Sequence, residues 1–141
     1  MKKNQILLVE DNEGDIILTL EAFEESDFKT EIQVARNGKE AINYLFENCT
    51  NSQLPDIIIL DINLPLLNGH EVLKKIKENE KTKHIPVIML TTSSAINDIN
   101  LTYANHANGF ISKPSDVNDF FQTINSTGNF WFNTCKLPFF K

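Results

Sequence analysis

The sequence predicts an α/β protein in which five parallel strands form a doubly wound sheet, a (βα)5 arrangement. Short apolar runs of strand length alternate along the chain with amphipathic stretches of helix length, as in parallel βα units. The runs are continuous instead of alternating with polar residues, so helices are expected to cover the sheet on both faces. The length of 141 residues and the hydrophobic content of 41% suit one globular domain.

Each predicted strand is followed by a predicted helix. The strands are the apolar runs at 6–9, 32–35, 57–60, 87–90 and 109–111. The helices are predicted from apolar residues at helical spacing at 16–23, 41–46, 72–76, 96–103 and 117–124. Asn37 and Gly38 are expected to open the second helix, and Ser115 or Asp116 to cap the fifth.

Composition excludes several classes of function. The chain has 19 Asp and Glu against 13 Lys and Arg, so a broad basic surface for nucleic acid is not expected. No apolar stretch approaches the roughly 20 residues of a membrane span. Cys49 and Cys135 lack a metal-binding spacing, which indicates free thiols in a reducing cytoplasm. His70, His84 and His106 are expected at the surface without a functional role.

Polar side chains follow four of the five predicted strands. In an open doubly wound sheet, ligands bind outside the carboxyl ends of the strands, so these side chains are expected to share one rim. They are Glu10 and Asp11 after the first strand, Asp61 after the third, Thr91 and Thr92 after the fourth, and Lys113 and Pro114 after the fifth.

This rim indicates a bound cation and phosphoryl chemistry. Glu10, Asp11 and Asp61 cannot all stay ionised at close range unless a cation compensates their charge. Mg²⁺ suits an all-oxygen ligand set, and no His or Cys cluster competes for a softer metal. A carboxylate beside Mg²⁺ and an ammonium group is suited to attack phosphorus, because both cations offset the charge of a phosphoryl group.

Four sequence segments resemble the receiver domain of two-component response regulators. They are Val-Glu-Asp-Asn at 9–12, Ile-Leu-Asp-Ile-Asn-Leu-Pro at 59–65 with Asn-Gly at 68–69, Val-Ile-Met-Leu-Thr-Thr at 87–92, and Gly-Phe-Ile-Ser-Lys-Pro at 109–114. The resemblance covers about residues 4–125 and implies a CheY-like, flavodoxin-like sheet with strand order 2-1-3-4-5.

The resemblance implies a role for each residue of the rim. Asp61 corresponds to the phospho-accepting aspartate. Asp11 would bind Mg²⁺ directly, Glu10 mainly through water, and Asn63 through its backbone carbonyl. Glu10 and Asp11 alone would more often be a solvated loop or a helix start, so the assignment depends on their combination with Asp61 and Lys113.

The resemblance also implies a switch. Thr91 would move toward the phosphoryl group, Lys113 would pair with it, and Phe110 would turn inward when Thr91 moves. The bond between Lys113 and Pro114 is expected to be cis, as in the family. Phe110 lacks the hydroxyl of the commoner tyrosine, so only packing can report the switch at that position.

The C-terminal residues are expected to extend the last helix. We divide the chain into a receiver domain at 1–125 and an aromatic extension at 126–141, which is too short for an output domain. Phe130, Trp131 and Phe132 could equally cover the domain's own core or form an interface, for instance in a homodimer. This tail, together with the longer loop at 48–53 and Leu-Thr-Thr-Ser at 90–93, is similar to those of response regulators that partner bacterial phytochrome histidine kinases.

The sequence therefore predicts a cytoplasmic, stand-alone response regulator that is not an enzyme with an independent substrate. Its expected partners are a sensor histidine kinase, for which the resemblance suggests the phytochrome type, and a downstream protein target. Two alternatives remain open: a pseudo-receiver that binds without phosphorylation, and a relay intermediate that passes the phosphoryl group on. A haloacid dehalogenase-type phosphatase is disfavoured because Asn63 stands where that enzyme needs a second aspartate.

Overall fold

A computed structural model of the chain describes residues 3–139, so the outer ends of the predicted segments, residues 1–2 and 140–141, lie outside the described residues. The strands are β1 (Asn4–Val9), β2 (Thr30–Ala35), β3 (Ile57–Leu60), β4 (Val87–Thr91) and β5 (Gly109–Ser112). The α-helices are α1 (Glu13–Glu24), α2 (Gly38–Asn43), α3 (Gly69–Lys77), α4 (Ile96–Ala104) and α5 (Val117–Asn129). The strands pair in parallel in the order β2-β1-β3-β4-β5, which confirms the predicted fold.

The central strands divide their apolar side chains between two cores. Successive residues of a strand point to opposite faces of the sheet. In β3, Ile58 and Leu60 pack in the core that includes residues of α2 and α3, whereas Ile57 and Ile59 pack in the core that includes residues of α1 and α5. All four side chains are buried, which explains why the strand appears in the sequence as an unbroken apolar run.

Asparagine and aspartate side chains fix the start of four helices. Each accepts a hydrogen bond from a backbone N–H in the first turn, which would otherwise lack a partner. The capping residues are Asn12 for α1, Asn37 for α2, Asn68 for α3 and Asp116 for α5. Asp116 is thus the cap of the last helix, one of the two residues that the sequence proposes. The residue that precedes α4 is Ala95, whose side chain cannot cap the helix.

Two helices differ in length or form from the prediction. The second predicted helix is α-helical only to Asn43 and continues as a π-helical turn, Tyr44–Asn48. The last helix runs to Asn129 and is followed by a second π-helical turn, Phe130–Thr134. This turn carries Trp131 and Phe132 against the core next to α1 and α5. Apolar contact made by the turn explains why helical structure continues beyond residue 124 into the extension.

The peptide bond between Lys113 and Pro114 is trans, so the expectation of a cis bond is wrong for this structure. No peptide bond within residues 3–139 is cis. Trans is the lower-energy form of an X–Pro bond by about 0.5–1 kcal/mol. With this bond trans, the Lys113 backbone N–H donates to the Thr91 carbonyl at 2.7 Å and extends the pairing of β4 with β5.

Both cysteines are free, as predicted; Cys49 is buried and Cys135 is half-buried. Over the described part of the chain, every helix is too short or too polar to cross a membrane.

Candidate functional site

The candidate site lies at the carboxyl edge of the sheet, where the chain leaves β1, β3, β4 and β5. The backbone still follows the sheet at this point: the Glu10 N–H donates to the Ala35 carbonyl, and the Asp61 N–H donates to the Val9 carbonyl, both at 3.0 Å. These hydrogen bonds hold Glu10 and Asp61 side by side. The predicted convergence of the strand ends on one rim is therefore present.

Gly69 allows α3 to begin directly against the acceptor strand. A Cβ atom at this position would lie 2.2 Å from the Asp61 carbonyl oxygen and 2.6 Å from the Ile62 Cα atom. Real Cβ atoms do not approach backbone so closely, so any other residue would push α3 away from Asp61. Asn68 caps the helix immediately before the glycine. Asn68 and Gly69 thus determine how closely the start of α3 packs against Asp61.

Glu10, Asp11 and Asp61 form an acidic cluster in which one carboxylate oxygen of each lies within 4.8 Å of the others. Glu10 and Asp61 are buried, whereas Asp11 is exposed. Burial, together with the negative charge of Asp61, raises the pKa of Glu10 to about 7, although the hydrogen bond from Lys113 opposes this shift. A cation bound beside Glu10 would favour its ionised form, and the oxygen-only donor set fits a hard divalent ion.

The structure also places Asn63 at this cluster. Its backbone N–H points to Asp61 Oδ1 at 3.4 Å, and its side chain is exposed. Coordination of a metal by the Asn63 carbonyl stays a prediction.

Lys113 is the cation that the site already contains. Its ammonium nitrogen lies 2.5 Å from Glu10 Oε1, 2.8 Å from Asp15 Oδ2 and 3.2 Å from Asp61 Oδ2. The side chain is only 5% exposed. Burial alone would lower the pKa of Lys113, but the hydrogen bonds to Asp15 and Glu10 and the nearby carboxylate charges outweigh it and raise the pKa. The ammonium group is therefore a permanent positive charge beside Asp61.

Asp15 is a site residue that the sequence interpretation missed. It lies in the first turn of α1, where its N–H donates to the Asn12 cap at 2.9 Å and its carboxylate contacts Lys113. A side chain there resembles an ordinary acidic residue that stabilises a helix start. Its spacing of four residues from Asp11 was the available signal, because that spacing returns a side chain to the same side of a helical turn.

Thr91 and Phe110 occupy the positions that the sequence interpretation gave to the switch. Thr91 ends β4, is completely buried, and accepts a hydrogen bond from the Ser93 N–H at 3.4 Å. Phe110 pairs in register with Met89 and packs, half-buried, against the core next to α2 and α3. Thr92 and Lys113 line a cavity of about 270 Å³ beside the site.

The three histidines have different surroundings, and the expectation that all lie at the surface is wrong for His70. The His70 side chain is 14% exposed, and its Nε2 lies 3.0 Å from Asp98 Oδ1. His84 is half-buried, and His106 is exposed. No sequence motif linked His70 to Asp98, because the two residues are 28 positions apart on neighbouring helices.

The aromatic extension divides between the two roles that the sequence left open. Trp131 and Phe132 are half-buried against the core, with the rings of Phe28 and Phe132 6.0 Å apart. Phe130 is 48% exposed and meets Trp131 edge to face at 5.2 Å. Two of the three predicted interface residues thus cover the domain's own core, and one presents apolar surface to solvent.

The fold and this carboxylate–lysine rim together define a receiver-type α/β domain. The chain belongs to the response regulator receiver domain family, which matches residues 6–125. Receiver domains are phosphoryl-accepting regulators of two-component systems.

Relatives of the chain agree with this assignment. Response regulator Rcp1 of Synechocystis sp. is 38% identical over 135 residues, which span 94% of this chain and 92% of that protein. The solved structure of the phosphorylated cyanobacterial phytochrome response regulator RcpA has a TM-score of 0.92 at 39% identity, covering 98% of this chain and 100% of that one. The Mn²⁺-bound form of Rcp1 has a TM-score of 0.89 at 36% identity, covering 96% and 99%.

These relatives are single-domain response regulators, including regulators of phytochrome systems. The Mn²⁺-bound relative also shows that a receiver of this kind holds a divalent cation. The acidic cluster of this chain is the corresponding candidate for a divalent metal site.

Proposed function

We propose that the protein accepts a phosphoryl group on Asp61 from the phosphohistidine of a sensor histidine kinase. The phosphorylated state would then change the affinity for a downstream protein target. The observation that carries this proposal is the contact of one buried aspartate with a buried ammonium: Lys113 Nζ lies 3.2 Å from Asp61 Oδ2, within the acidic cluster. A carboxylate that served only for stability would not need two further carboxylates beside it.

The proposed transfer is balanced without a further reactant. An Asp61 carboxylate oxygen attacks phosphorus and forms a P–O bond, while the P–N bond to the kinase imidazole breaks. The electron pair of the broken bond stays on the imidazole nitrogen, which takes up a proton from solvent. Lys113 stands where negative charge builds on the phosphoryl oxygens and stabilises it electrostatically.

Glu10, Asp11, Asp61 and the carbonyl of Asn63 are the proposed ligands of Mg²⁺. The carboxylate oxygens fit the ion because they are hard donors and lie within 4.8 Å of one another. When bound, Mg²⁺ would neutralise charge on the acceptor and the phosphoryl group. The raised pKa of Glu10 is consistent with a site in which a bound cation would favour the ionised form of that carboxyl group.

Thr91 and Phe110 are the proposed switch. The Thr91 hydroxyl would turn from the Ser93 N–H toward a phosphoryl oxygen and vacate space that the Phe110 ring fills. The two residues lie on adjacent strands of the described sheet, with Phe110 in register with Met89 two residues before Thr91. Differential contact with the phosphoryl group in two states is sufficient to shift their populations.

The kinase is proposed to be of the phytochrome type, since relatives similar over nearly the whole chain are regulators of phytochrome systems. We further propose that the protein works in the cytoplasm and that residues 1–125 form the receiver, with 126–141 as its extension. A homodimer through α5 and this extension is supported by the exposed Phe130 ring. Sedimentation at high concentration, with and without phosphorylation, tests the dimer; a monomer in both would refute it.

The first test of the proposed function is intact-mass spectrometry after incubation with acetyl phosphate and Mg²⁺. We expect one phosphoryl adduct in the wild type and none in Asp61→Asn or in a metal-free sample. Asp27→Asn is the matched control, because Asp27 is an exposed aspartate outside the site and its variant should be phosphorylated normally. An adduct that persists in Asp61→Asn would place the acceptor elsewhere.

The same phosphorylation experiment distinguishes the proposed function from two alternatives, a pseudo-receiver and a relay intermediate. If no adduct forms under any condition, the protein is a pseudo-receiver that binds partners without phosphorylation. If the adduct forms and then moves to a histidine of a phosphotransfer protein, Asp61 is a relay station and not a terminal acceptor.

A further inference from the structure

We propose that His70 and Asp98 are positioning residues that act on Thr91 through Ser93. They would hold the segment between β4 and α4 in the unphosphorylated arrangement and so set how readily the site accepts a phosphoryl group. This inference rests on the proposed function for its consequence, but the contacts that carry it are independent of that function.

Three contacts link α3 to the hydroxyl of Thr91. His70 Nε2 lies 3.0 Å from Asp98 Oδ1, and the Ser93 hydroxyl donates to Asp98 Oδ2 at 2.6 Å. The Ser93 N–H in turn donates to Thr91 Oγ1 at 3.4 Å. Asp98 therefore bridges the first turn of α3 and the segment that follows β4, and Ser93 transmits its position to Thr91.

Ser93 is the point at which several elements meet. Its hydroxyl oxygen also accepts from the Ala95 N–H at 3.3 Å, and its carbonyl accepts from the Ser112 hydroxyl at 3.2 Å. The contact with Asp98 is the shortest of the set and involves a charged acceptor, which makes it the strongest. Displacement of Ser93 would therefore weaken several hydrogen bonds at once.

Asp98 is held as a carboxylate by these neighbours. The hydrogen bonds from Ser93 and His70 lower the pKa of Asp98. Because Asp98 accepts, the Nε2 atom of His70 donates. Its other ring nitrogen, Nδ1, is buried and has no hydrogen-bond partner among the residues that the structure describes. Among the described residues, the hydrogen bond from Nε2 to Asp98 is therefore the one that orients the His70 ring.

The start of α4 depends on the same contacts. Residues Asn12, Asn37, Asn68 and Asp116 cap the other four described α-helices, whereas α4 follows Ala95, which offers no capping oxygen. The Ala95 N–H is instead bound by Ser93, and Ser93 by Asp98. A helix start that lacks its own cap can shift when these side chains separate.

The consequence is a defined preference between two states. To contact a phosphoryl group on Asp61, the Thr91 hydroxyl must leave the Ser93 N–H. The contacts of Ser93 with Asp98, and of Asp98 with His70, favour the state in which Thr91 has not moved. Removing them should raise the population of the moved state and, by linkage, the affinity for a phosphoryl group.

The test uses the full chain and beryllofluoride with Mg²⁺, a phosphoryl mimic that cannot be hydrolysed. Its affinity is measured by NMR titration in Ser93→Ala, Asp98→Asn and His70→Ala. We expect about threefold to tenfold tighter binding in each variant. This factor corresponds to the loss of one net hydrogen bond from the state in which Thr91 has not moved. Ser93→Ala leaves the charge of the site unchanged, so its result separates loss of the contact from loss of the Asp98 charge.

Two further variants test the contact itself. His70→Gln keeps an N–H donor and should return the affinity to within about twofold of wild type. Asn97→Ala changes an exposed neighbour of Asp98 in the same helical turn and should leave the affinity unchanged. Thermal unfolding tests whether each variant is folded. If His70→Ala does not fold, Ser93→Ala alone still tests the proposal.

A second measurement needs no ligand. Scalar couplings of the Thr91 side chain report its χ1 rotamer, and we expect the three disrupting variants to redistribute that rotamer in the free protein. Unchanged rotamers and unchanged affinities in folded variants would overturn the inference while leaving the proposed function intact. If the wild type does not bind beryllofluoride, the proposed function fails, and the rotamer measurement alone then decides whether His70 and Asp98 position Thr91.

Discussion

Two buried or half-buried lysines lie at opposite ends of the sheet and have opposite electrostatic environments. At the carboxyl end, Lys113 donates to three carboxylates, Glu10, Asp15 and Asp61. At the amino end, Lys77 closes α3 and donates to three uncharged oxygens. Burial lowers the pKa of Lys77 to about 8, whereas the carboxylates raise the pKa of Lys113 despite its burial.

The contrast separates a lysine with neutral acceptors from a lysine with carboxylate acceptors. The acceptors of Lys77 are the carbonyls of Ile85 and Lys83, at 2.7 and 3.2 Å, and the amide oxygen of Asn108, at 3.1 Å. Neutral acceptors satisfy the ammonium hydrogens without leaving surplus charge. Around Lys113, one ammonium faces more negative charge than it can neutralise. The acceptors of Lys77 thus leave no excess of negative charge, whereas the carboxylates around Lys113 leave an excess that would favour a bound cation.

The largest expected difference is in stability. Lys113→Met should lower the free energy of unfolding by about 3 kcal/mol without metal, because it leaves Glu10 and Asp61 buried without their counter-ion. Lys77→Met should cost less than about 2 kcal/mol, since it leaves only neutral oxygens unpaired. Urea denaturation at neutral pH measures both, and equal losses would contradict the distinction.

The second expectation concerns pH. The ammonium of Lys77 binds its proton less tightly in the folded protein than in the unfolded chain. Between about pH 8 and pH 10.5 the unfolded state holds more protons, so stability contributed by this group rises with pH. We therefore expect the free energy of unfolding of the wild type to rise relative to that of Lys77→Met as the pH increases across this range. A constant difference in urea denaturation at pH 8, 9 and 10 would refute the lowered pKa.

The third expectation is stabilisation by a divalent cation at the carboxyl end. At about ten times its dissociation constant, Mg²⁺ should stabilise the wild type by about 1.4 kcal/mol. Asp11→Asn should lose most of this effect, since Asp11 is the exposed carboxylate of the cluster. Glu78→Gln, at an exposed residue following α3 at the amino end, should retain it. Thermal unfolding with Mg²⁺ and with a chelator measures the shift, and equal shifts in both variants would exclude the cluster as the binding site.

The smallest expected effect is that of Asp15→Asn. The side chain of Asp15 is 26% exposed, so its ion pair with Lys113 is partly screened and should contribute less than about 1 kcal/mol to stability. The amide would keep an oxygen acceptor for Lys113 but remove one negative charge from the rim. We therefore expect faster phosphorylation by the anionic acetyl phosphate, with the gain declining at high salt. A slower reaction would show that Lys113 needs the charge of Asp15.

Local pattern was sufficient for much of the site because the strands are parallel. Once the apolar runs at 6–9 and 57–60 are read as strands, the residues that follow them must meet at one edge, whatever the details of packing. Glu10 and Asp61 follow such runs directly, and the sequence could place them together. Lys113 could be assigned in the same way from the run at 109–111.

Asp15 and His70 could not be placed by that reasoning. Asp15 lies within a helix, where a carboxylate of the first turn ordinarily stabilises the helix start. Its contact with Lys113 depends on how α1 packs on the sheet and against α5. The contact of His70 with Asp98 depends on the packing of α3 against α4. Side-chain contacts between separate helices arise from three-dimensional packing and leave no periodic trace in the chain.

The sequence by itself determined the class of fold, the order of its elements and the group of charged residues at the carboxyl edge, since these follow from hydrophobic period and chain direction. Only the tertiary structure decided which carboxylates Lys113 contacts, how far the last helix continues, and that the bond to Pro114 is trans. It also decided that Trp131 and Phe132 cover the core while Phe130 faces solvent. These features depend on distances between elements, which are set by packing and not by local preference.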